Sequence, residues 1–500
     1  MSTALPVPTA RPSRKFRDLG EYSPTGDYQL LPFRFQALSD RREVLVNEVG
    51  DYLLVPRGTA ARLVRRQLSY EQDAELYADL LAGFFIADTA EMPLLDVLAT
   101  RYRTKKAFLD NFTALHLFVV TLRCEHTCHY CQVSRVTADK NAFNMAQVHM
   151  DKGIAHMMQS PNPHVTMEFQ GGEAFLAFEA ICYGVLEAKR QAELRGKRIT
   201  FVVCTNLAIV TDEMLEFCRE HEVLLSTSLD GPAAVHNANR HRPGRNSHEL
   251  TLAGLTRARA VVGYDRVGAL MTTSALSLEH PLAIVDEYVA QGFNSIFLRP
   301  ISPYGFALRH DRKNKYATDV FLAFYKTALA HILDYNFRGH YLREDYAAII
   351  LRKMLTPFAV GYVDLQSPAG LVNSVVVFNY DGAVYASDEA RMLAEMGDFT
   401  FQLGHLDTHS YQELFYGAKA REIVGAGVNE SLAGCSECTF QAYCGADPVL
   451  HHATQGDMYG HRPTSVFCQK NMEIIRYLFE LMEADARIEP IFRRWISVPA

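Results

Sequence analysis

A group of three cysteines limits what this chain can fold into. They follow an apolar run at 115–122 in a C-x3-C-x2-C spacing, and they are Cys124, Cys128 and Cys131. Zinc sites and ordinary cubane clusters take four protein ligands, so three thiolates leave one metal position open to a molecule that is not protein. The motif, with Tyr130 directly before its third cysteine, therefore predicts a metal centre with an open coordination position. The alternative is a zinc site completed by His126 or His129.

The composition excludes several classes of protein. The 500 residues are 48% hydrophobic and 21% charged, which is ordinary for a globular chain of about three domains. A formal net charge of −7 gives no basic surface for DNA or RNA, so a peptide or small molecule is the expected substrate. No apolar run is long enough to span a membrane, and the amino terminus lacks the apolar core of a secretion signal. Ten cysteines without such a signal indicate metal binding in a reducing compartment, and we expect a cytoplasmic protein.

The amino-terminal part divides into two segments. Residues 1–26, rich in Pro, Ser, Thr and Arg, are expected to be a disordered lead-in. Residues 27–112 are expected to form a domain with a β-hairpin, strands 44–46 and 52–55 around Gly50, and helices at 57–70, 71–85 and 91–110. A hairpin beside short helices resembles winged-helix-like elements that hold a precursor peptide against a strand edge. A cap that only packs on the next domain is the alternative.

Residues 113–312 alternate between strand-like and helix-like patterns. Apolar runs predict strands at 115–122, 165–169, 199–205, 224–229, 267–273 and 295–298. Helical patterns lie between them, and strands joined by crossover helices form a parallel sheet with both faces covered. Ligands bind at the carboxyl ends of such strands, which is where the cysteine motif stands after the first strand.

Further motifs stand at the ends of the later strands. Gly171 and Gly172, followed by Glu173, close the second strand, and paired glycines let a ligand or another backbone approach closely. A strand-to-helix turn is the alternative for these three residues. The fourth strand ends in an S-L-D-G-P run that begins at Ser228, and Arg240 follows twelve positions later. The Arg240 guanidinium suits a carboxylate ligand, with a solvated surface charge as the alternative.

The carboxyl-terminal part contains a second cysteine group. Residues 313–365 are predicted to be a helical connector and residues 366–500 a separate domain. That domain carries a C-x2-C-x5-C motif and a distant fourth cysteine, namely Cys435, Cys438, Cys444 and Cys468. Four thiolates complete the ligand set of one cluster, with zinc as the competing occupant. The remaining cysteines are expected to act as small buried hydrophobes within strands or helices: Cys182, Cys204 and Cys218.

The cysteine loop with its aromatic residue, the Gly-Gly-Glu element and the S-L-D-G-P…H-x-x-x-R run together resemble the radical SAM superfamily, in particular peptide-modifying enzymes of the sulfatase-maturase kind. The resemblance implies a partial (β/α)6 TIM-type barrel, in which a [4Fe–4S] cluster held by the three cysteines binds S-adenosylmethionine (SAM) at its open iron. It implies that Ser228 contacts the SAM ribose, Arg240 its carboxylate and the Gly-Gly-Glu element its amino group, while Leu298 packs by the adenine. The implied SAM-binding residues are Tyr130, Gly171, Gly172, Glu173, Thr205, Asn206, Ser228, Arg240 and Leu298.

The carboxyl-terminal domain resembles the SPASM domain, whose complete form holds two auxiliary [4Fe–4S] clusters. The cysteine spacing matches the second of these clusters. Where the first would have its ligands, this chain has Ser367, Ser387 and Pro448, so the resemblance implies one auxiliary cluster and the loss of the other. Asp388 matches a proton-accepting aspartate of the sulfatase-maturing relatives, and Gln170 matches one of their substrate contacts, which makes both predicted catalytic residues.

Over its whole length the chain resembles the His-Xaa-Ser system radical SAM maturase family, B component. The resemblance implies reductive cleavage of SAM to methionine and a 5′-deoxyadenosyl radical, which takes a hydrogen from a residue of a ribosomally made precursor peptide or protein. It also implies partners: a precursor with His-Xaa-Ser repeats, a second radical SAM protein, a small accessory protein and an electron donor such as flavodoxin or ferredoxin, with no nucleic acid and no membrane. An anaerobic sulfatase maturase and a non-catalytic peptide-binding Fe–S or zinc scaffold are the rival interpretations.

Overall fold

The computed structural model describes residues 28–88, 93–131, 141–304 and 315–497, together with Thr137 and Asp139. The chain divides into two compact units, Met1–Thr100 and Arg101–Ala500. The predicted disorder of residues 1–26 lies outside the described residues. The predicted boundaries after residues 112, 312 and 365 stay predictions.

The first unit is built on a three-stranded antiparallel sheet in the order β2-β3-β4, with a two-stranded pair of β1 and β5. Its elements are β1 (Gln29–Leu30), β2 (Phe33–Ala37), β3 (Arg42–Asn47), β4 (Tyr52–Pro56), α1 (Thr59–Val64), α2 (Ala74–Ala82) and β5 (Ile86–Ala87). The predicted hairpin is confirmed as β3 and β4, and Gly50 has the positive φ, 82°, that its turn requires. Leu45, Leu63 and Phe85 form a core, each fully buried.

The second unit contains the strands and helices that position the site. Its strands are β6 (Leu115–Thr121), β7 (His164–Gly171), β8 (Arg198–Cys204), β9 (Leu224–Ser228), β10 (Val267–Leu270), β11 (Ser295–Ile296), β12 (Arg343–Glu344), β13 (Val375–Phe378), β14 (Ala383–Tyr385) and β15 (Gln402–His405). The helices of the amino-terminal half are α3 (Pro93–Lys106), which begins before the unit boundary, α4 (Phe108–Asn111), α5 (Gln147–Met157), α6 (Phe178–Arg195), α7 (Asp212–Glu220), α8 (Ala233–Asn239), α9 (Ser247–Val262) and α10 (Pro281–Ala290). Those of the other half are α11 (Thr318–Phe337), α12 (Asp345–Leu355), α13 (Asp388–Ala394), α14 (Tyr411–Tyr416), α15 (Ala418–Ala426), α16 (Pro448–Gln455), α17 (Val466–Ala484) and α18 (Ile488–Ser497).

The predicted parallel sheet is confirmed for its first five strands. Strands β6 to β10 lie in sequence order and pair in parallel, with helices in the crossovers. Because parallel strands end at the same edge of a sheet, the segments that follow β6, β7, β8 and β9 lie along one edge. The cysteine loop, the Gly-Gly-Glu element, Thr205 and Ser228 all stand there.

The end of the sheet differs from the prediction in two places. Strand β10 stops at Leu270, because the next backbone bonds to another loop: the Thr272 amide donates to the Asp230 carboxylate at 3.2 Å. The strand predicted at 295–298 is reduced to β11, which pairs with β12 in a separate two-stranded sheet. The Leu298 amide donates to the Glu344 side chain at 3.1 Å instead of joining a strand ladder.

The other edge of the sheet comes from the carboxyl-terminal part of the chain. Strand β13 pairs in parallel with β6, and β14 and β15 add to it in antiparallel. The result is an eight-stranded, mostly parallel sheet in the order β10-β9-β8-β7-β6-β13-β14-β15. Residues 375–405, predicted to belong to a separate domain, therefore continue the central sheet.

A buried carboxylate fixes the segment that follows β11. Glu344 is fully buried and accepts hydrogen bonds from the Leu298 amide, the Tyr325 hydroxyl at 2.6 Å and the Ala347 amide at 2.6 Å. Burial raises the pKa of Glu344 to about 7. One side chain thus holds the 298 segment, α11 and the start of α12 together.

We expect Glu344→Gln to lower the free energy of unfolding by about 2–4 kcal/mol, because the amide NH2 would face N–H and O–H donors and leave them unsatisfied. The midpoint of thermal unfolding measures this loss. The control is Glu422→Gln on α15, where the carboxylate is 47% exposed beside Lys419, and it should change stability by less than about 0.5 kcal/mol. Equal midpoints for the two variants would contradict the role of Glu344.

Candidate functional site

The cysteine loop is held by backbone hydrogen bonds to the segment after α8. The Thr127 amide donates to the His241 carbonyl at 2.7 Å, and the His129 amide donates to the Asn239 carbonyl at 3.3 Å. Within the loop the Cys131 amide donates to the Cys128 carbonyl at 3.0 Å, which forms a tight turn. The loop is therefore fixed between the end of β6 and the loop that carries Arg240.

The three thiols of the loop lie close enough to influence one another. Burial raises the pKa of Cys128 to about 12, and Cys131 raises it further while Arg240 lowers it. Burial, Glu125 and Cys128 raise the pKa of Cys124. A bound cation would remove this penalty, because thiolates are stabilised by positive charge. The donor set therefore fits a metal centre.

The spacing of the sulfur atoms favours a centre larger than one ion. Thiolates around one tetrahedral zinc lie about 3.8 Å apart, as Zn–S bonds of about 2.3 Å require. In the part of the chain that the structure describes, which includes every cysteine, no three cysteine sulfurs lie within 4.8 Å of one another. The histidines that could complete a zinc site have other partners: His126 Nε2 lies 2.8 Å from Ser247 Oγ, and His129 Nε2 lies 3.0 Å from Asn239 Oδ1. The three sulfurs as placed do not share one ion, but ligand atoms of Cys124, Glu125 and His126 lie within 4.8 Å of one another, so the zinc alternative stays open.

Gly171 and Gly172 let the end of β7 approach the cysteine loop. An ideal Cβ on Gly172 would lie 2.3 Å from the Arg123 carbonyl oxygen, and one on Gly171 would lie 2.2 Å from the Thr121 carbonyl oxygen. The Gly172 amide donates to that Thr121 oxygen at 2.9 Å. The two glycines thus allow the backbones of β7 and the cysteine loop to pack closely. Their carbonyl groups can accept hydrogen bonds from a ligand, as an ammonium group would donate.

Glu173 connects the ends of β7 and β8. Its carboxylate accepts from Thr205 Oγ1 at 2.8 Å, from the Asn206 amide at 2.8 Å and from the Phe175 amide at 3.0 Å, where it caps a short 3-10 helix. Burial raises the pKa of Glu173 to about 7, and the nearby Glu125 carboxylate adds to the rise. Glu173 thus acts in the strand-to-helix turn that was the alternative interpretation of the sequence. It also holds Thr205 and Asn206, two other predicted SAM-binding residues, next to itself.

Arg240 lies in a buried polar cluster with Asp230 and Tyr130. Its guanidinium forms two hydrogen bonds with the Asp230 carboxylate, 3.1 Å and 3.2 Å long, and Tyr130 donates to the same carboxylate at 2.6 Å. Burial alone would raise the pKa of Asp230, but Arg240 and His236 hold it below its usual value. Arg240 is thus a buried, oriented cation beside the cysteine loop, and its pairing with Asp230 was not predicted from the sequence.

Two further predicted SAM contacts, Ser228 and Leu298, lie in different parts of the structure. Ser228 ends β9 beside Leu270 of β10. Leu298 is only 1% exposed and lines a cavity that also contains charged side chains. Ser228 therefore stands at the carboxyl edge of the central sheet, whereas Leu298 lies outside that sheet, after β11.

The predicted catalytic residues lie near a carboxylate that sequence analysis missed. Gln170 donates to Glu168 at 2.7 Å, and the Cys204 thiol donates to the same oxygen at 3.2 Å. Burial raises the pKa of Glu168, and the nearby Asp388 carboxylate raises it further. Cys204 is therefore a hydrogen-bonded thiol rather than a small hydrophobe. The alternation of buried Val165, Met167 and Phe169 with polar residues in β7 was the available signal.

Asp388 begins α13 and forms an ion pair with Arg391, whose Nη2 lies 2.7 Å from the carboxylate. Ser387 caps the same helix by accepting from the Ala390 amide at 3.2 Å. Ser367 accepts from the Asn429 amide at 3.0 Å, and Pro448 is the first residue of α16. The three positions that the SPASM resemblance associates with a lost cluster thus have hydrogen-bonding or helix-starting roles.

The four cysteines of the carboxyl-terminal group line one small cavity, together with Arg462. Cys468 stands in the first turn of α17, where Ser465 accepts from its amide at 3.2 Å. Burial raises the pKa of Cys435 to about 12; Arg462 lowers it and the other three thiols raise it. No three of these four sulfur atoms lie within 4.8 Å of one another, which fits a four-thiolate cluster better than one tetrahedral ion.

Comparison with known proteins agrees with this geometry. Residues 118–298 match the model of the radical SAM superfamily. The chain contains a radical SAM domain. The matched segment runs from β6 to Leu298 and includes the cysteine loop, the Gly-Gly-Glu element and Arg240. In the described residues, no helix is both long and apolar enough to cross a membrane.

The relatives of this radical SAM enzyme are distant. An uncharacterized protein of Methanothermobacter thermautotrophicus is 28% identical over 191 residues, 38% of this chain and 69% of its own length. A cysteine-type anaerobic sulfatase-maturating enzyme of Clostridium perfringens is 20% identical over 365 residues, 71% of this chain and 93% of its own length. The structure of native anSMEcpe with bound AdoMet has a TM-score of 0.61 at 18% identity, covering 76% of this chain and 99% of its own. The structure of Streptococcus suis SuiB bound to S-adenosylmethionine has a TM-score of 0.50 at 13% identity, covering 88% and 99%.

These structural likenesses show the α/β fold. The resemblance to radical SAM maturases that the motifs predicted is confirmed. The narrower likeness to the His-Xaa-Ser family stays a prediction.

We expect Gly172→Ala to displace the cysteine loop, because the added Cβ would meet two backbone carbonyls, 2.3 Å and 2.5 Å away. Such overpacking costs about 1–3 kcal/mol. In metal-free protein, alkylation of Cys124, Cys128 and Cys131 should become several-fold faster, as measured by peptide mapping. The matched control is Gly268→Ala in β10, whose added Cβ would meet nothing within 4 Å. Equal alkylation rates in both variants would contradict the packing role of Gly172.

Proposed function

We propose that this radical SAM enzyme modifies a residue of a ribosomally made precursor peptide or protein. The observation that carries the proposal is the meeting of the three-cysteine loop with Glu173, Asn206 and Arg240 at one edge of a parallel sheet. Cys124, Cys128 and Cys131 would hold a [4Fe–4S] cluster with one open iron. The loaded site would supply the reductive cleavage of SAM to methionine and a 5′-deoxyadenosyl radical, which takes a hydrogen from the substrate.

The residues around the loop would bind and orient SAM. Asp230 fixes the plane of the Arg240 guanidinium, whose remaining N–H groups suit the SAM carboxylate. The carbonyl groups of the Gly171-Gly172 turn suit its ammonium group. The other proposed contacts with SAM are Tyr130, Glu173, Thr205, Asn206, Ser228 and Leu298.

We further propose one auxiliary [4Fe–4S] cluster in the SPASM-like part of the chain, bound by Cys435, Cys438, Cys444 and Cys468. The sulfur spacing supports a cluster over zinc, and the hydrogen-bonding roles of Ser367 and Ser387 support the loss of the other cluster. Lys353 places a positive charge beside this proposed cluster site, where it donates to the Cys444 carbonyl at 2.7 Å. Burial raises the pKa of the Cys444 thiol, and the charge of Lys353 opposes that rise.

A peptide substrate is supported by the relatives. The curated relative of Clostridium perfringens is named for maturation of a sulfatase, and anSMEcpe has also been solved with bound AdoMet and a Kp18Cys peptide. In our proposal the edge strands of the first unit, β2 and β4, hold the precursor by strand addition. The remaining partners and the cytoplasmic location stay as predicted from the sequence: a precursor with His-Xaa-Ser repeats, a second radical SAM protein, a small accessory protein and a flavodoxin or ferredoxin. A sulfatase maturase is the second candidate, supported by the same relatives.

After anaerobic reconstitution we expect about eight iron atoms per chain, because each cubane holds four. Dithionite reduction with SAM should then give 5′-deoxyadenosine. The double variant Cys435→Ser with Cys438→Ser should retain about four irons, and Cys124→Ser should lose SAM cleavage, while Cys182→Ser on α6 serves as a control with both properties intact. About twelve irons would reveal a second auxiliary cluster. Zinc without iron, or no 5′-deoxyadenosine, would support the scaffold interpretation.

We expect Asp388→Asn to reduce modification of a co-expressed precursor by about a hundredfold or more if Asp388 accepts the substrate proton. Formation of 5′-deoxyadenosine should persist, since among the described residues the hydrogen bonds that Asp388 accepts come from Arg391. Mass spectrometry of the precursor measures modification and identifies the altered residue. The control is Asp407→Asn, an exposed carboxylate paired with Lys152 at 2.7 Å. Unchanged modification in Asp388→Asn would exclude Asp388 as the base.

A further inference from the structure

Two adjoining cavities lie beside the segment that follows Leu298. The inner one has a volume of 80 Å³ and the outer one 420 Å³, and both are lined by Pro300, Phe321, Phe467 and Lys470. The outer cavity is lined mainly by apolar side chains. The inner cavity is large enough for the head group of one side chain and is lined by charged residues.

The inner cavity contains more negative than positive groups. Its carboxylates are Asp364, Glu389 and Asp447, and its cations are Arg299 and Lys470. Three carboxylates face two cations, so one negative charge is left over. The Lys470 ammonium lies 4.8 Å from the Tyr346 ring centre and forms no ion pair with any described carboxylate.

Burial makes this excess of negative charge costly. Burial raises the pKa of Asp447 to about 8 and that of Glu389 to about 7, and the Asp364 carboxylate adds to both shifts. Three buried carboxylates packed together favour protonation of one of them. A cation entering the cavity would stabilise all three as anions.

The same cavity contains a buried hydroxyl, that of Tyr304, which is 1% exposed. Within the described part of the chain this hydroxyl has no hydrogen-bond partner. All three carboxylates act electrostatically on it. The hydroxyl oxygen can accept a hydrogen bond, so a ligand that brings an N–H donor into the cavity would give it a partner.

The cavity adjoins the proposed reaction site. Arg299 lies 3.5 Å from Glu389, and its charge also lowers the pKa of Glu168, which burial raises and to which Gln170 donates. Glu389 directly follows Asp388 in α13. A side chain held in the cavity would therefore bring its neighbours in the peptide close to Gln170 and Asp388.

We propose that the inner cavity binds a positively charged side chain of the substrate peptide. This inference rests on the proposed function, that the enzyme acts on a peptide. The apolar stem of a lysine or arginine fits the outer cavity, since long cationic side chains pack their methylene groups on apolar surface. The charged group then meets the three carboxylates and the Tyr304 hydroxyl.

The test uses reconstituted full-length enzyme with SAM and blocked tripeptides, acetyl-Gly-X-Gly-amide, in which X is lysine, arginine, norleucine or glutamate. NMR titration gives the affinity of each peptide. We expect lysine and arginine to bind about tenfold more tightly than norleucine, because only their charged groups can form ion pairs and hydrogen bonds with the three carboxylates. Equal binding of lysine and norleucine would overturn the proposal.

Substitutions of opposite charge should change this preference in opposite directions. Asp447→Asn and Glu389→Gln should reduce the lysine-to-norleucine ratio, whereas Lys470→Met should increase it, which misfolding would not produce. The matched controls are Asp407→Asn and Lys152→Met, the two members of an exposed ion pair, and both should leave the ratio unchanged. A ratio that does not respond to the cavity variants would also overturn the proposal.

A separate measurement distinguishes this proposal from the proposed function. The same preparations are assayed for 5′-deoxyadenosine without peptide. SAM cleavage without a preference for cationic peptides rejects the cavity as a cation site and leaves the enzyme function standing. Absence of SAM cleavage in the unmodified enzyme rejects the proposed function itself.

Discussion

The strand that carries the cysteine loop is paired on both edges, and the site depends on that pairing. Strand β6 lies between β7 and β13, all three parallel, and its residues Leu117 to Val120 are at most 3% exposed. A strand enclosed in this way has one register, because a shift by one residue would turn every side chain to the other face. The loop that begins after Thr121 therefore starts from a fixed point. Part of this constraint comes from Val375–Phe378, far along the chain.

A buried positive charge, that of Arg240, lies beside the cysteine loop and can stabilise anionic ligands there. Asp230 neutralises Arg240, and Arg240 in turn lowers the pKa of Cys128, which burial raises. A buried ion pair of this kind contributes little net stability, because desolvation offsets much of the attraction. Its effect here is orientation: the guanidinium has one plane and one position beside the three thiols. That is the property a site for a carboxylate-bearing cofactor needs.

The sequence predicted the parallel strands and the edge at which the motifs meet, because apolar runs and their spacing are local signals. The pairing of β13 with β6 was not predicted, because the hydrophobic pattern of a sequence does not show which distant strands pair with each other. Two strands predicted from the sequence are longer than those in the structure. In the strand predicted at 267–273 the Thr272 amide donates to Asp230, and in the one predicted at 295–298 the Leu298 amide donates to Glu344. Side-chain partners of backbone groups cannot be read from a hydrophobic pattern. For the same reason Cys204 looked apolar, although its thiol donates to Glu168.

The start of the helix that carries Asp388 and Glu389 is held by side-chain hydrogen bonds. Ser387 accepts from the Ala390 amide, and such a cap contributes about 1 kcal/mol to a helix. Arg391, one turn later and only 2% exposed, pairs with Asp388 and fixes the carboxylate from the other side. The position of Asp388 therefore follows from hydrogen bonds of the chain itself. The cavity with Asp364, Glu389 and Asp447 lies next to that helix, and each of its carboxylates stands within three positions of Ser367, Ser387 or Pro448.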